Sequence, residues 1–511
     1  MNHKIIISFF ILIPFIASSC KKSSKKSPEL TSEPVPVTKP VLKKPEKPAE
    51  KKKFISVEAA NPEDTKIVCN ENSCTISLVT EKVQKELEKQ KNYKNLTIVF
   101  RPLISDDYFS TVQNIPWVRK LKLLSPNITH LSPVKVLNNL QYLHISFVRN
   151  SESGSPQVID LEPLSSLSSL KHIHFNSVKV SNLSALSNLS NLIEISMDSV
   201  DIPSTTWLKN LNKIQFLYLT HNGLKSIPEI AGKPVSQLSL RGNAQLTDFS
   251  SISTLKDLRF LDLSETAPSD LTFLSPLKDL ESLKLENLKS KILSLTPLTA
   301  LLKIKYLILT GNTYLTDINP LSGLKNVERL GLSKTNISDI SALRHMKKLK
   351  NLELSHTKVS DLTPLSGLSD LNRLEISYTL VTSLYPLEKL NNISILHADN
   401  TKIRNIDVLG KFSSLSIINL NKTLIKDIKP LTGNKKIWWL EITDTEVMDL
   451  KPLKNSSELN TLRISNTKIK DLSLLLEFKK LGTVFITKGS IDKSTVDKIK
   501  KALPDCRIYE L

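Results

Sequence analysis

The sequence predicts an α/β solenoid: stacked coils with a concave parallel β-sheet and short helical or 3-10 turns on the convex side. Three observations lead there. First, one apolar skeleton recurs about every 22 residues. "LKNLELSHTKVSDLTPLSGLSD", Leu349 to Asp370, is followed by "LNRLEISYTLVTSLYPLEKLNN", which keeps the skeleton and changes the rest. Second, each unit begins with a short apolar/polar alternation, the period of a strand. Third, of 511 residues only 5% are aromatic and 12 are Gly, a bias that suits an array better than separate globules.

Units begin at Val118, Leu140, Leu170, Leu192, Ile214, Val235, Leu258, Leu280, Ile304, Val327, Leu349, Leu371, Ile393, Leu415, Ile437, Leu459 and Leu481. The spacing is 22 from Val327 to Leu481; earlier it runs from 21 to 24, with one gap of 30 after Leu140. In the unit at Leu349, Leu352 and Leu354 point one way, and Asn351, Glu353 and Ser355 the other. Thr357 stands where the chain turns, its hydroxyl expected to bond to backbone groups of neighbouring units. Val359 and Leu362 return to the interior. Asp361 can accept from backbone N–H groups of the following turn. Pro364 needs no donor at the start of a short helical turn, and Leu365 and Leu368 close the core. One coil cannot bury these residues alone, but stacked coils can. Seventeen strands about 4.8 Å apart make a sheet on the order of 80 Å long.

The pattern LxxLxLxxTxIxDLxPLxxLxx resembles the leucine-rich repeat, in the 22-residue version of internalin-type bacterial proteins. That resemblance implies a right-handed leucine-rich-repeat superhelix of about 17 units over residues 118–488. Arrays of this kind must cover their ends. Residues 54–117 are expected to form the N-terminal cap, with a helix in "TEKVQKELEKQK" and a strand in "NLTIVF". Residues 489–511 resemble the C-terminal cap of many bacterial leucine-rich-repeat proteins. A helix there would set Val496, Ile499 and Leu503 on one face, Pro504 would stop it, and the strand "CRIYEL" would follow.

The N-terminus reads "MNHKIIISFFILIPFIASSC". Lys4, the apolar run Ile5 to Ile16 and small residues before Cys20 make an export signal over residues 1–19, too short for a comfortable transmembrane helix. A plain signal peptide with Cys20 incidental is one reading. The other is the bacterial lipobox, which "ASSC" resembles; it implies cleavage before Cys20 and a lipid on its sulfur, anchoring the chain to a membrane it never spans. Lys21 follows where Asp would suggest inner-membrane retention, so the same resemblance favours the outer membrane. Residues 20–53 carry the lipidated Cys and then eleven Lys, four Glu and six Pro, with no aromatic residue before Phe54. Such a segment cannot bury enough apolar surface to fold and is expected to be a disordered tether. Its Lys residues could sit against anionic head groups or cell-wall polymers, or serve only as a soluble spacer.

Net charge is +20, of which residues 1–53 carry +8, leaving a mild +12 over 458 positions. An exported chain also meets no cytoplasmic nucleic acid, so a nucleic-acid partner is excluded. Cys69 and Cys74 flank a polar turn between two β-like runs and are expected to form a disulfide across a hairpin. No second pair or nearby His completes a metal ligand set around them. Cys506 is left alone, expected to be buried near the end.

There is no nucleophile elbow, phosphate-binding Gly loop, HExxH or paired CxxC. The expectation is a binding protein, not an enzyme, with no cofactor. Candidate contacts stand at outward strand positions. Ile395, Ile417 and Trp439 occupy the third place of successive units and would form an apolar patch about 10 Å long, with His397, Asn419 and Glu441 beside it. Trp is favoured as an interface anchor; ordinary strand propensity on an uncovered sheet is the bland alternative. A second group is Tyr142, His144, His172, His174, Phe216, Tyr218, Phe260 and Tyr306. Its three imidazoles could hold Zn²⁺ if the 30-residue unit does not shift their strands; an aromatic, His-rich contact patch is preferred. That unit contains "FVRNSESGSPQVID", residues 147–160, expected to loop out of the coil.

Together these features suggest an envelope lipoprotein, on the outer membrane or cell surface, that binds a macromolecule, expected to be a protein, on the concave face. The internalin resemblance implies adhesion to a host or neighbouring cell. The alternative is a periplasmic or cell-wall-facing scaffold that binds bacterial envelope components.

Overall fold

The computed structural model describes residues 105–124, 127–146, 158–292, 294–490 and 493–511, with the short segments 55–56, 68–69, 73–76, 81–89 and 97–100. The export signal, Cys20, the Lys/Pro segment and residues 147–157 lie outside them.

The coil at Leu349 shows how each repeat closes. Its strand is Asn351–Glu353. Leu349, Leu352, Leu354, Val359, Leu362, Leu365 and Leu368 are all buried to within 1%. His356 then adopts a left-handed conformation, φ +59°, which turns the chain off the sheet. The Thr357 hydroxyl donates to the Leu354 carbonyl at 2.7 Å. The expected bond to a neighbouring unit is therefore corrected: the left-handed bend at His356 turns the Thr357 hydroxyl back onto its own strand, so Thr braces its own turn. Asn, with a longer side chain, does join coils. Asn222 donates to Met197, Asn243 to Leu219 and Asn312 to Leu285, each one coil back. Asp361 accepts from the Thr363 N–H at 2.8 Å and so opens the 3-10 turn Thr363–Leu365. Pro364 sits in that turn, where its missing N–H leaves no bond unmade.

Coils are joined along their backbones. Arg373 N–H donates to Lys350, and Leu354 N–H donates forward to Glu375. Past the bend, His356 N–H reaches Ser377. Each coil thus satisfies its polar backbone on its neighbours, which is why no single coil can stand alone.

Among the described residues the result is a 22-stranded sheet. It is parallel from Ser73–Ile76 to Arg507–Glu510. This is longer than the seventeen strands expected, because flanking segments join it in register. Thr97–Phe100 pairs with Lys120–Leu123 at one end, and Arg507–Glu510 with Thr483–Ile486 at the other. Val68–Cys69 runs antiparallel to Ser73–Ile76, with Cys69 opposite Cys74; Cys74 is disulfide-bonded. The end helices are Glu81–Glu88, burying Val83 and Leu87, and Lys493–Ala502, burying Ile499. Leu503 and the free thiol of Cys506 are also buried.

The enlarged unit does not disturb the ladder. Tyr142–Ser146 pairs directly with His172–Asn176 over all five residues. Val158–Asp160 instead pairs with Lys179–Ser181 in a small second sheet. Among the described residues, no helix is long and apolar enough to cross a membrane.

Candidate binding face

Because each strand has one buried residue between outward neighbours, the register places outward side chains in columns across the sheet. One column runs Tyr142, His172, Glu194, Phe216, Gln237, Phe260, Ser282, Tyr306, Arg329, Asn351, Arg373, Ile395, Ile417, Trp439 and Thr461. Two residues further along each strand lies a second column, which includes His144, His174, Tyr218, Glu375, His397, Asn419 and Glu441.

Ile395, Ile417 and Trp439 are consecutive in the first column and half-buried, as the open side of a sheet requires. Glu441 beneath them is 9% exposed. It accepts from the Trp439 indole N–H at 2.8 Å and from Asn421 Nδ2 at 2.6 Å. Arg463 Nε lies 3.1 Å from the oxygen that Trp439 uses. The Arg463 guanidinium in turn lies 4.1 Å from the centre of the Phe485 ring, and Phe485 stacks on Tyr509 at 4.8 Å. Glu441 is therefore a brace for its neighbours more than an exposed contact. The orientation of the indole is set before any partner arrives, which lowers the entropy lost on binding. His397 lies between Glu375 and Asn419 in its column. Burial lowers its pKa, with Arg373 acting the same way and Glu375 opposing.

The N-terminal group divides. Tyr142, His172, His174, Phe216 and Tyr218 stand on the strands around Glu194, with His144 beyond, its ring 6.0 Å from that of His174. Phe260 and Tyr306 stand apart, separated by Gln237 and Ser282. Lys284 lies over the Phe260 ring at 5.7 Å, and Tyr306 is 37% exposed. His172 Nδ1 is 2.9 Å from Glu194 Oε2, and His174 Nε2 is 3.1 Å from Glu194 Oε1. An ionised carboxylate only accepts, so Nδ1 of His172 carries the proton it shares. Burial raises the Glu194 pKa, but the hydrogen bond from His172 and the contact with His174 outweigh it and bring it down to about 2. Burial, aided by Glu194, pushes Tyr142 up to about 12, and the same two causes raise Tyr218. His144 is lowered to about 4 by burial, then by His174 and Lys122.

A zinc reading of this group meets a carboxylate already shared between two imidazoles. Among the described residues, no set of three or more His, Cys, Asp or Glu is arranged to hold a metal ion.

Three residues escaped the sequence reading: Glu194, Arg463 and Phe485. Each stands at an outward position that the repeat predicts. Glu194 is the third residue of its unit, like Ile395, but selecting aromatic and His residues passed over it. The stack of His356 on Tyr378, ring centres 4.2 Å apart, was also unforeseen. Both residues sit at the left-handed bend, where the side chain leaves the sheet.

The family model for leucine-rich repeats (2 copies) matches residues 325–367. No curated protein matched the sequence. Among solved structures, an internalin of Listeria monocytogenes is 24% identical over 70% of this chain and 86% of its own, with a TM-score of 0.40. A leucine-rich-repeat protein of Leptospira interrogans is 19% identical over 83% of this chain and 97% of its own, with a TM-score of 0.55. The Toll–Spatzle complex of Drosophila matches at 15% identity over 84% of this chain and 63% of that one, with a TM-score of 0.59. These last two likenesses, with the register above, establish the fold as a leucine-rich-repeat solenoid.

Proposed function

We propose that this chain is a binding protein, not an enzyme, and that it takes a protein partner on the open face of its sheet. The observation that carries this reading is the run Ile395, Ile417 and Trp439. These are three consecutive outward apolar side chains, with the indole oriented by Glu441. Apolar stripes edged by polar groups mark partner sites, and Trp is the residue most often found at their energetic centre. The Toll–Spatzle complex, similar in fold, lends support as a case where a solenoid holds a protein. Fold alone does not transfer function, so the side chains carry the argument.

The finer reading is an envelope lipoprotein. A lipid on Cys20 would hold it to the outer membrane or cell surface, residues 21–53 would extend it, and the partner would belong to a host or neighbouring cell. Cys20→Ser should then release the protein from membranes; unchanged membrane association would rule out a lipid anchor. Rapid loss of the solenoid when intact cells meet protease would support surface display. Protection until the outer layer is breached would favour a periplasmic scaffold for envelope components.

The binding reading itself is tested by Trp439→Asp. The residue points outward, so the variant should melt within a few degrees of wild type while captured partner falls at least tenfold. A variant that binds as well as wild type would refute the site.

A further inference from the structure

Nearly every glutamate on or bordering the open face is paired with a Lys or Arg of the chain itself. Glu265 and Glu286 hold Arg241; Glu281 holds Arg259 and Lys305; Glu353, Glu375 and Glu441 hold Arg329, Arg373 and Arg463. Glu194 is different. Among the described residues its only ion-pair partners are two imidazoles, His172 and His174. A carboxylate has about four lone-pair sites, and these contacts use two. Around it stand Tyr142, Phe216 and Tyr218. Tyr142 lies 5.0 Å from the His174 ring and 6.3 Å from that of His172, centre to centre, and Phe216 is the next residue in the Glu194 column. A carboxylate set among flat rings is the complement of a planar cation. Guanidinium suits it better than ammonium, because it stacks on rings and offers paired N–H donors.

We propose that Glu194 and the rings around it form a receptor for an arginine side chain on a protein partner. This rests on the reading of the open face as a binding surface, but on a patch separate from Trp439. His172 and His174 face Glu194 from the preceding strand, Tyr218 from the following one, and Tyr142 from two strands before. His144 and Lys122 stand beyond His174, and Asp198 lies further along the Glu194 strand.

The test is fluorescence anisotropy with a labelled hexa-arginine peptide at 150 mM salt, using the whole protein. Wild type should bind it at pH 7.5 and bind hexa-alanine not at all. Glu194→Gln should weaken binding at least tenfold and Phe216→Ala several-fold, whereas Glu458→Gln, remote from the patch, should change nothing. Equal binding by wild type and both patch variants, or no binding by wild type, would overturn the proposal. If Glu194→Gln unfolds, Phe216→Ala decides, since that ring makes no hydrogen bond to the imidazoles. Trp439→Asp should keep hexa-arginine binding, so failure here leaves the Trp439 site standing, and the reverse.

Discussion

His144 illustrates how a single outward side chain can set a property of the fold. Its folded pKa of about 4 lies below the ordinary 6.5, because burial and the charges of His174 and Lys122 disfavour the imidazolium. Between those values the unfolded chain binds the proton and the folded chain does not. Stability therefore rises with pH across that window and is lost on acidification from about 6.5 toward 4. At pH 5 the cost is on the order of 2 kcal/mol. His144→Gln removes it, so the fall in melting temperature from pH 7 to pH 5 should be smaller in the variant than in wild type. An equal fall would show that His144 is not the group responsible. Glu194 acts in a lower window. Its pKa is depressed to about 2, so its stabilising share is present above about 4.5 and fades only as pH falls toward 2. Outward positions such as these were legible from the alternation alone. The pairing of Glu194 with two His was not, because it depends on cross-strand register through a 30-residue unit whose extra residues leave the ladder intact.

At the scale of the element, the repeat unit is a strand, a left-handed bend, an Asx-capped 3-10 turn and a return. Non-Gly residues occupy the bend in most coils: Lys334, His356, Tyr378, Asn400, Lys422, Asp444 and Asn466 all have φ between +53° and +59°. An isolated residue of this kind costs roughly 1–2 kcal/mol. The bend persists because the following Thr ties it down. Thr335, Thr357, Thr379, Thr401, Thr423 and Thr445 each donate to the carbonyl three residues back. Thr357→Val keeps the shape and removes the bond, leaving a buried carbonyl with one partner fewer. It should cost about 1 kcal/mol, read by denaturant unfolding, whereas Thr357→Ser should cost less. A cost-free Thr357→Val would mean that packing, not the hydroxyl, holds the bend. The sequence pattern located Thr, Asp and Pro at their turns but assigned the Thr hydroxyl to the wrong coil. Which carbonyl the bend sets within reach of a hydroxyl is a three-dimensional fact that letters do not state.

At the scale of the molecule, stacking at a fixed period multiplies every side-chain choice. Like charges at equivalent positions of adjacent coils would lie about 5 Å apart. Opposite charges often stand there instead: Lys305 with Glu281, Lys350 with Glu328, and Lys480 with Glu458. Exposed pairs of this kind contribute no more than about 1 kcal/mol each, so they serve mainly to avoid repulsion. The apolar skeleton supplies the cohesion, and it was legible because it repeats. The segments flanking it were harder to place in the sheet, since they share no period and join only through backbone pairing. Everything functional rests on that sheet keeping one side buried and the other open. Single cysteines at 395, 417 and 439, and at 396, 418 and 440, would read this directly by the rate of thiol labelling on the folded protein. The first three should label quickly and the second three only on unfolding. Slow labelling at all six, or no alternation between the sets, would contradict an open binding face.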